Sequence, residues 1–491
     1  MVLESSHRMD TPRTVEVARR SRAGCQQCRQ RKRKCDERHP RCAACIDRDL
    51  QCNWQREEPR RQVSRRQHLY NKEFTVPQEM RPLVTVFTVP SACIQQTLLS
   101  HFRVNSPLWL TAGGHEKSAA CLSVIMPVAL RNPLVLNCVL ALAAGDLSKY
   151  HPASSGLTSL AHGLYGQAVA GIHSALNKEL SPSAAGVPST HTGDDTLLAI
   201  ILLCVNEAVN FTETDRIIPH INAAAILCYS RCFDTAPDAR LRGLLFEIFC
   251  YIFTLTAFSH GHKLHLNLAL QVFNSPFLSG SFYQGILLRW RCPEIFSSIL
   301  RVTMLTSGTT SIYSIDEATA SEIRILESQL ANFPSTRYET DETTVTDEKT
   351  TSELYRLACL IHIKKILNPD LPDRSADIQG LVGQFITNLN ILPPTSPANN
   401  ILCWPLVVTG MSSVVMTHQR IIVGRLRKNH ETWRSDILSK SAAFLSGKWR
   451  EAKALEGKGA AVDSQDTRPY HIWGRKLTAG PQAFEFPVVM L

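Results

Sequence analysis

Residues 25–52 read CQQCRQRKRKCDERHPRCAACIDRDLQC, and Cys25, Cys28, Cys35, Cys42, Cys45 and Cys52 are their thiols. The unit C-x2-C-x6-C is written there twice. Thiols at this density can do three kinds of chemistry. They can pair as disulfides, which persist in oxidising compartments. The opening MVLESSHRMDTPR is polar, however, and lacks the apolar run of an export signal. Cys25, Cys28, Cys42 and Cys45 could hold a single zinc, leaving Cys35 and Cys52 idle although they recur at the same offset. Or all six thiolates could hold two zincs. Tetrahedral zinc takes four ligands, so two ions need eight positions, and six thiolates fill them only if two bridge both metals. The arithmetic favours this third arrangement. Two Zn(II) ions and six thiolates carry net negative charge, so nearby cations are welcome. The segment has almost no apolar core, and metal binding would supply its folding energy.

Charge divides the two halves. Cys28 is followed by Arg29, Arg31, Lys32, Arg33 and Lys34, whereas Cys45 is followed by Asp47 and Asp49. Only the first half can approach a phosphate backbone without repulsion. Six residues suit a helix of under two turns, short enough to enter a DNA major groove while packed on a metal centre. A basic run alone would read as a solvated face or an import signal. Fixed between metal-binding cysteines, it reads as a nucleic-acid contact.

These residues resemble the Zn2Cys6 binuclear cluster of fungal transcription factors. The likeness rests on the spacing, on CRQRKRKCD at Cys28–Asp36, and on Pro40 in the loop joining the halves. It implies two Zn(II), with Cys25 and Cys42 as the bridging ligands. It also implies that Arg31 and Lys32 reach base edges of a CGG-type triplet, while Arg29, Arg33 and Lys34 serve phosphates. Some relatives have Lys where this chain has Arg31. Much of that family's base reading uses backbone carbonyls, so Arg31 is expected to change affinity more than preference.

The rest of the chain must position this segment. It has 491 residues, 44% hydrophobic and 7% aromatic, enough to bury a sizeable core. Residues 1–70 hold 18 Lys and Arg against 9 Asp and Glu, so nearly all of the net charge of +10 is local. Such a patch attracts polyanions. The ten cysteines outside the cluster are scattered singly, mostly in apolar runs, where a free thiol acts as a small hydrophobe. That pattern suits a reducing, intracellular setting. From Asn53 to Pro90 the chain is polar, basic and broken by prolines. Between Trp54 and Leu69 the only apolar residue is Val63, so no coiled coil is expected. Arg56, Arg60, Arg61, Arg65 and Arg66 either touch phosphates or lie solvated.

From Ser91 the periodicity is helical and strand alternation is sparse. Ser91 reads as an N-cap, and Asn132 with Pro133 as an N-cap and first helical position. The helix after Asn132 is apolar nearly all round and so central. Further helices are expected over Leu157–Leu180, Asp195–Asn210, Asp215–Arg231, Arg240–Phe258, Ile286–Leu305, Ile315–Asn332, Thr351–Leu367, Asp377–Leu389, Leu402–Lys428 and His430–Leu455. The most apolar stretch, Leu244–Phe258, is interrupted by Glu247 and too short to span a membrane, so a buried helix is expected. The segments LLSHFRVNSPLWL, MPVALRNPLVLNCVLALAAGDLSKYH, LLAIILLCVNEAV with HINAAAILC, and WPLVVTGMSSV resemble the second type of fungal-specific transcription factor regulatory domain. The likeness covers about residues 91–450 and implies an all-α regulatory domain, in some cases responsive to a ligand.

No G-x-S-x-G, P-loop or G-x-G-x-x-G occurs, so no enzyme is expected. His260, His262 and His265 read as a solvated loop, with a metal site as the sharper alternative. Tyr338–Lys349 reads as an acidic loop, or as a weak activation segment. The tail ending FEFPVVML reads as a strand, a clip or a short partner-binding motif. The fold expected is mostly α: a disordered arm over 1–20, a cluster with two short helices over 21–55, a flexible linker over 56–90, an all-α region over 91–455 and a tail over 456–491. The function expected is a nuclear, zinc-dependent regulator of transcription that binds double-stranded DNA at promoters of the RNA polymerase II type. Its other partners would be transcription machinery or co-regulators, a second copy met through the helical region, and a small-molecule effector of unknown identity; no membrane is expected. The competing reading makes the cluster a protein-interaction module that does not bind DNA.

Overall fold

The computed structural model describes residues 25, 27, 28, 31, 33, 35–52 and 54. Between 91 and 456 it describes all but 113–114, 152–154, 181–189, 211–213, 235, 237, 280–291, 308–314, 334–343 and 434. The arm, the linker over 56–90 and the tail from 457 lie outside the described residues. The chain divides into two compact units, Met1–His68 and Leu69–Leu491. Among its described residues the first holds one short helix, α1 (Ala43–Ile46), and a helical turn at Gln27 and Cys28.

The second unit is helical, with no strand among the described residues. Its helices begin α2 (Ala92–Leu110), α3 (His115–Arg131), α4 (Pro133–Tyr150), α5 (Ser155–Leu180), α6 (Thr190–Asn210), α7 (Ile217–Arg231) and α8 (Ala239–His260). They continue α9 (Leu266–Phe273), α10 (Pro276–Ser279), α11 (Cys292–Ser307), α12 (Glu317–Ala331) and α13 (Thr344–Leu367). The last four are α14 (Ala376–Ile391), α15 (Cys403–Met411), α16 (Met416–Trp433) and α17 (Asp436–Glu456).

The caps form as the residue types dictate. Ser91 Oγ accepts from the Ile94 N–H, and Asn132 Oδ1 accepts from the Leu134 N–H at 3.0 Å, with Pro133 at the first position of α4. Asp238, Asp316 and Ser375 cap α8, α12 and α14 in the same way. Each such cap satisfies an orphan donor and contributes about 1 kcal/mol.

Two helices organise the core. Helix α4 packs against α2, α3, α5 and α6, which is why it is apolar nearly all round. Helix α8 packs against α3, α6, α7, α9, α10 and α11. Ala239–Lys263 is long and apolar enough to cross a membrane, yet 94% of its apolar window is buried in the fold. The buried helix expected over Leu244–Phe258 is therefore correct in kind and longer than the apolar run. An aromatic chain ties α8 to α11, α13 and α15: Tyr251–Phe296 at 5.5 Å, Phe296–Tyr355 at 4.9 Å and Tyr355–Trp404 at 5.8 Å. Adjacent aspartates on α6 bind its neighbours. Asp194 meets Arg242 of α8 at 3.0 Å, and Asp195 meets Arg131 of α3 at 2.8 Å. The Arg242 pair is buried on both sides, so removing one partner would strand a buried charge.

Several expectations need correction. The run Leu402–Lys428 is two helices, α15 and α16, separated at Ser412–Val415. The carbonyls freed there accept from side chains: Ser412 O from Gln379 Nε2 and Ser413 O from Gln419 Nε2, both at 2.8 Å. His430 sits in the last turn of α16 instead of opening a helix. Helices α6 and α13 start earlier than expected, and α13 absorbs Thr344–Lys349 of the acidic segment. Residues 338–343 of that segment lie outside the described residues, as do 286–291 at the start of another expected helix. Cys93 is exposed, while Cys121, Cys138, Cys204, Cys228, Cys250, Cys359 and Cys403 are buried as small apolar groups.

Candidate metal centre and nucleic-acid interface

The sulfur atoms of the six N-terminal cysteines converge. Cys25 Sγ lies 3.7 Å from both Cys42 Sγ and Cys45 Sγ, and Cys28 Sγ lies 3.6 Å from Cys42 Sγ. Two quartets form, Cys25–Cys28–Cys35–Cys42 and Cys25–Cys42–Cys45–Cys52, each with its sulfurs within 4.8 Å of one another. Cys25 and Cys42 belong to both. Five of the six are buried and Cys52 is partly so.

Local structure delivers each thiol. Cys42 is extended at φ −73° and ψ 151°, and its carbonyl accepts from the Cys45 and Ile46 N–H groups at 3.0 Å, opening α1. The Leu50 N–H returns to the Cys45 carbonyl at 2.9 Å, with Asp49 left-handed at φ 48°, and this turn leads the chain back to Cys52. Arg41 Nη2 donates to the Leu50 carbonyl at 2.9 Å and bridges to Asp49 at 3.2 Å. Asp36 links the halves: both its carboxylate oxygens lie 3.2 Å from the Ala43 N–H at the start of α1. Beyond the last cysteine, the Trp54 indole N–H donates to the Pro40 carbonyl at 2.8 Å. Among the described residues, the partly buried apolar neighbours of the sulfurs are Ala44, Leu50 and Trp54. The core of this unit is made of thiols.

Metal-free, these thiols obstruct one another. Burial opposes ionisation of Cys25, but the Cys28 N–H and the thiols of Cys52, Cys28 and Cys45 outweigh it and bring it down to about 6. Cys42 is lowered likewise, against burial, by the thiols of Cys45 and Cys28. Burial and neighbouring thiols raise Cys28 and Cys35, push Cys45 up to about 12, and raise Cys52. Six crowded soft donors that cannot all ionise unaided fit a pair of dications, and thiolate sulfur suits zinc.

The basic half is described in part. The Arg31 N–H donates to the Gln27 carbonyl at 3.2 Å and the Arg33 N–H to the Cys28 carbonyl at 3.0 Å, so a helical turn succeeds Cys28. Arg31 is half-buried and Arg33 exposed. Arg29, Lys32 and Lys34 lie outside the described residues. In the other half, Asp47 and Asp49 are exposed, so the acidic residues of that half face solvent. Spacing could not reveal Asp36 as the cap of α1 or Trp54 as a latch, since both act across the metal-folded loop.

Among the described residues, only the two cysteine quartets could hold a metal ion. The three histidines do not gather as one. His260 is buried instead of solvated, with Nε2 3.3 Å from Asp215 and Nδ1 2.8 Å from Ser259 Oγ.

Comparison with known proteins falls into the same two parts. Residues 23–62 match the fungal Zn(2)-Cys(6) binuclear cluster domain, a type that binds two zinc ions. Residues 97–455 match the fungal specific transcription factor domain. The Zn(2)-C6 fungal-type transcription factor afumD of Aspergillus fumigatus is 30% identical over 149 residues, 29% of this chain and 36% of that protein. The zinc cluster transcription factor CZF1 of Candida albicans is 50% identical over 38 residues, 8% of this chain and 10% of that protein. The matches thus cover about a third or less of these relatives. No solved structure matches the chain.

Proposed function

The chain belongs to the fungal specific transcription factor family, carrying its Zn(2)-Cys(6) cluster ahead of its helical domain, and on that premise we propose that it is a nuclear, sequence-specific DNA-binding regulator. The observation that carries the reading is the pair of sulfur quartets sharing Cys25 and Cys42. Cys25, Cys28, Cys35, Cys42, Cys45 and Cys52 would hold two zinc ions, with Cys25 and Cys42 bridging. The metals fold the segment and take no part in any reaction.

On this scaffold the turn after Cys28 enters the major groove. Arg31 and Lys32 meet base edges of a CGG-type triplet at promoters of the RNA polymerase II type. Arg29, Arg33 and Lys34 meet phosphates. The cluster spans about 21–55, the linker 56–90 and the regulatory domain 91–455. That domain receives signals or co-regulators and is not an enzyme. Two copies would meet through it.

Base contacts discriminate by roughly 1–3 kcal/mol each, while phosphate contacts carry little sequence information. Lys32→Ala should therefore lose binding to a CGG duplex far more than to a scrambled one, and Arg29→Ala should weaken both alike. Paired titrations measure this. Equal losses for both variants on both duplexes would remove Lys32 from base reading.

A further inference from the structure

The bend at Ser412–Val415, between α15 and α16, is clamped by three helices. Gln379 of α14 and Gln419 of α16 hold the Ser412 and Ser413 carbonyls, and Trp449 of α17 donates its indole N–H to the Gly410 carbonyl at 3.1 Å. Turns of this kind favour polar residues. This one presents Val414, Val415 and Met416 in succession, exposed by 39%, 41% and 55%. Single apolar residues on a surface are ordinary, whereas consecutive ones on a fixed bend mark a contact.

Helix α16 continues this patch with charge. Met416, Arg420, Gly424 and Arg427 are all exposed, and their spacing sets them along one stripe of the helix. Arg420 Nη2 donates to Met416 Sδ at 3.3 Å, which joins the cation to the apolar end. Among the described residues, neither Arg420 nor Arg427 pairs with a carboxylate. The cations beside them are engaged: Arg425 turns inward to Asn399 Oδ1 and to the Leu389 and Leu392 carbonyls, and Lys428 meets Glu431 at 3.2 Å. Gly424 lies between the two unpaired guanidiniums. A Cβ there would meet nothing within 4 Å, so packing does not require glycine, and glycine inside a helix costs stability. Its bare backbone leaves a saddle between the arginines where another chain can come close.

We propose that Val414, Val415, Met416, Arg420, Gly424 and Arg427 form a docking surface for a segment of another protein that carries an apolar cluster beside carboxylates. Charge and spacing select this partner. Seven helical residues separate the arginines by about 10 Å, so two carboxylates at that separation can each meet a guanidinium while apolar side chains cover the bend. A nucleic-acid backbone has no use for the apolar end. A second copy packed two-fold on this face would set arginine against arginine. The inference rests on the reading of the helical domain as a receiver of co-regulators and gives that partner its chemistry.

The probe is a displayed library of random peptides of about 16 residues, long enough to follow the stripe as a helix. It is depleted on the full chain carrying Arg420→Glu and Arg427→Glu, then selected on the full wild-type chain. The enriched peptides should combine two or more carboxylates with an apolar cluster. In titrations each should lose about tenfold or more on Arg420→Glu, Met416→Ser and Gly424→Leu, and should weaken with salt. Gly424→Leu should melt no lower than wild type, because its site is open, so its loss is not one of folding. Changing the peptide carboxylates to lysine should restore binding to the doubly reversed chain. No enrichment, enriched peptides without acidic residues, or Gly424→Leu binding as wild type would overturn the proposal. So would a doubly reversed chain that loses affinity for a CGG duplex, which makes the face a nucleic-acid contact, or one that loses self-association, which makes it an interface between copies. A wild-type chain that takes these peptides yet binds CGG and scrambled duplexes alike loses the DNA-binding reading and keeps the docking surface.

Discussion

Cys25 and Cys42 sit in both sulfur quartets, and Cys52 in one. Cys25→Ala or Cys42→Ala takes a donor from both metals, whereas Cys52→Ala takes one from a single metal. Elemental analysis of purified variants should find the first two nearly free of zinc and the third retaining about one ion per chain. Identical stoichiometry in all three would contradict the shared pair. Asp36 acts through geometry, its carboxylate capping α1 at the Ala43 N–H. Losing a cap costs about 1 kcal/mol. Asp36→Ala should thus weaken zinc affinity roughly fivefold in a chelator competition, and unchanged affinity would remove Asp36 from the account. The six thiols were legible because their spacing repeats. Asp36 was not, since its partner lies seven residues away and is brought near only when the metals fold the loop.

At the scale of elements, buried histidines tie helix packing to pH. His220 of α7 is lowered to about 4 by burial, then by Arg216 and His173, while its Nε2 lies 2.8 Å from Tyr165 Oη of α5. His362 of α13 is lowered to about 3 by burial. Both are neutral in the fold, while an unfolded histidine takes up a proton below about 6.5. The unfolded state then binds more protons, so the stability these groups contribute is complete above about pH 6.5 and is lost as pH falls towards 4 for His220 and towards 3 for His362. Thermal melts of the intact chain should show the midpoint falling across that window, and His220→Gln should flatten the fall. A variant as pH-dependent as wild type would contradict this.

Which helices could be read ahead depends on local chemistry. Ser91 and the Asn132–Pro133 pair announce their starts because capping is local. The break at Ser412–Val415 announces nothing, since its freed carbonyls are satisfied by Gln379, from another helix, and by Gln419. Gly410 in α15 is likewise a matter of tertiary contact: a Cβ there would meet Leu445 of α17 at 2.6 Å. Helix α9 is eight residues long, too short for its periodicity to stand out.

At the scale of the whole molecule, charge and apolar content are segregated. Nearly all of the net positive charge lies in residues 1–70, and the helical unit holds the apolar core. With no apolar seam between Trp54 and Leu69, residues 1–90 should sediment as a monomer, and any dimer of the full chain should need residues beyond Ser91. A stable dimer of the short fragment at micromolar concentration would contradict that division. On the proposed reading, two zincs fold the cysteine segment into a reader of DNA sequence. The most direct test is to titrate the intact chain, zinc-loaded and after chelation, against a CGG duplex and a scrambled duplex at one salt concentration. The zinc-loaded chain should prefer the CGG duplex at least tenfold, and chelation should abolish the preference while leaving weak, salt-sensitive binding from the arginines. A preference that survives zinc removal, or one absent from the zinc-loaded chain, would contradict the account.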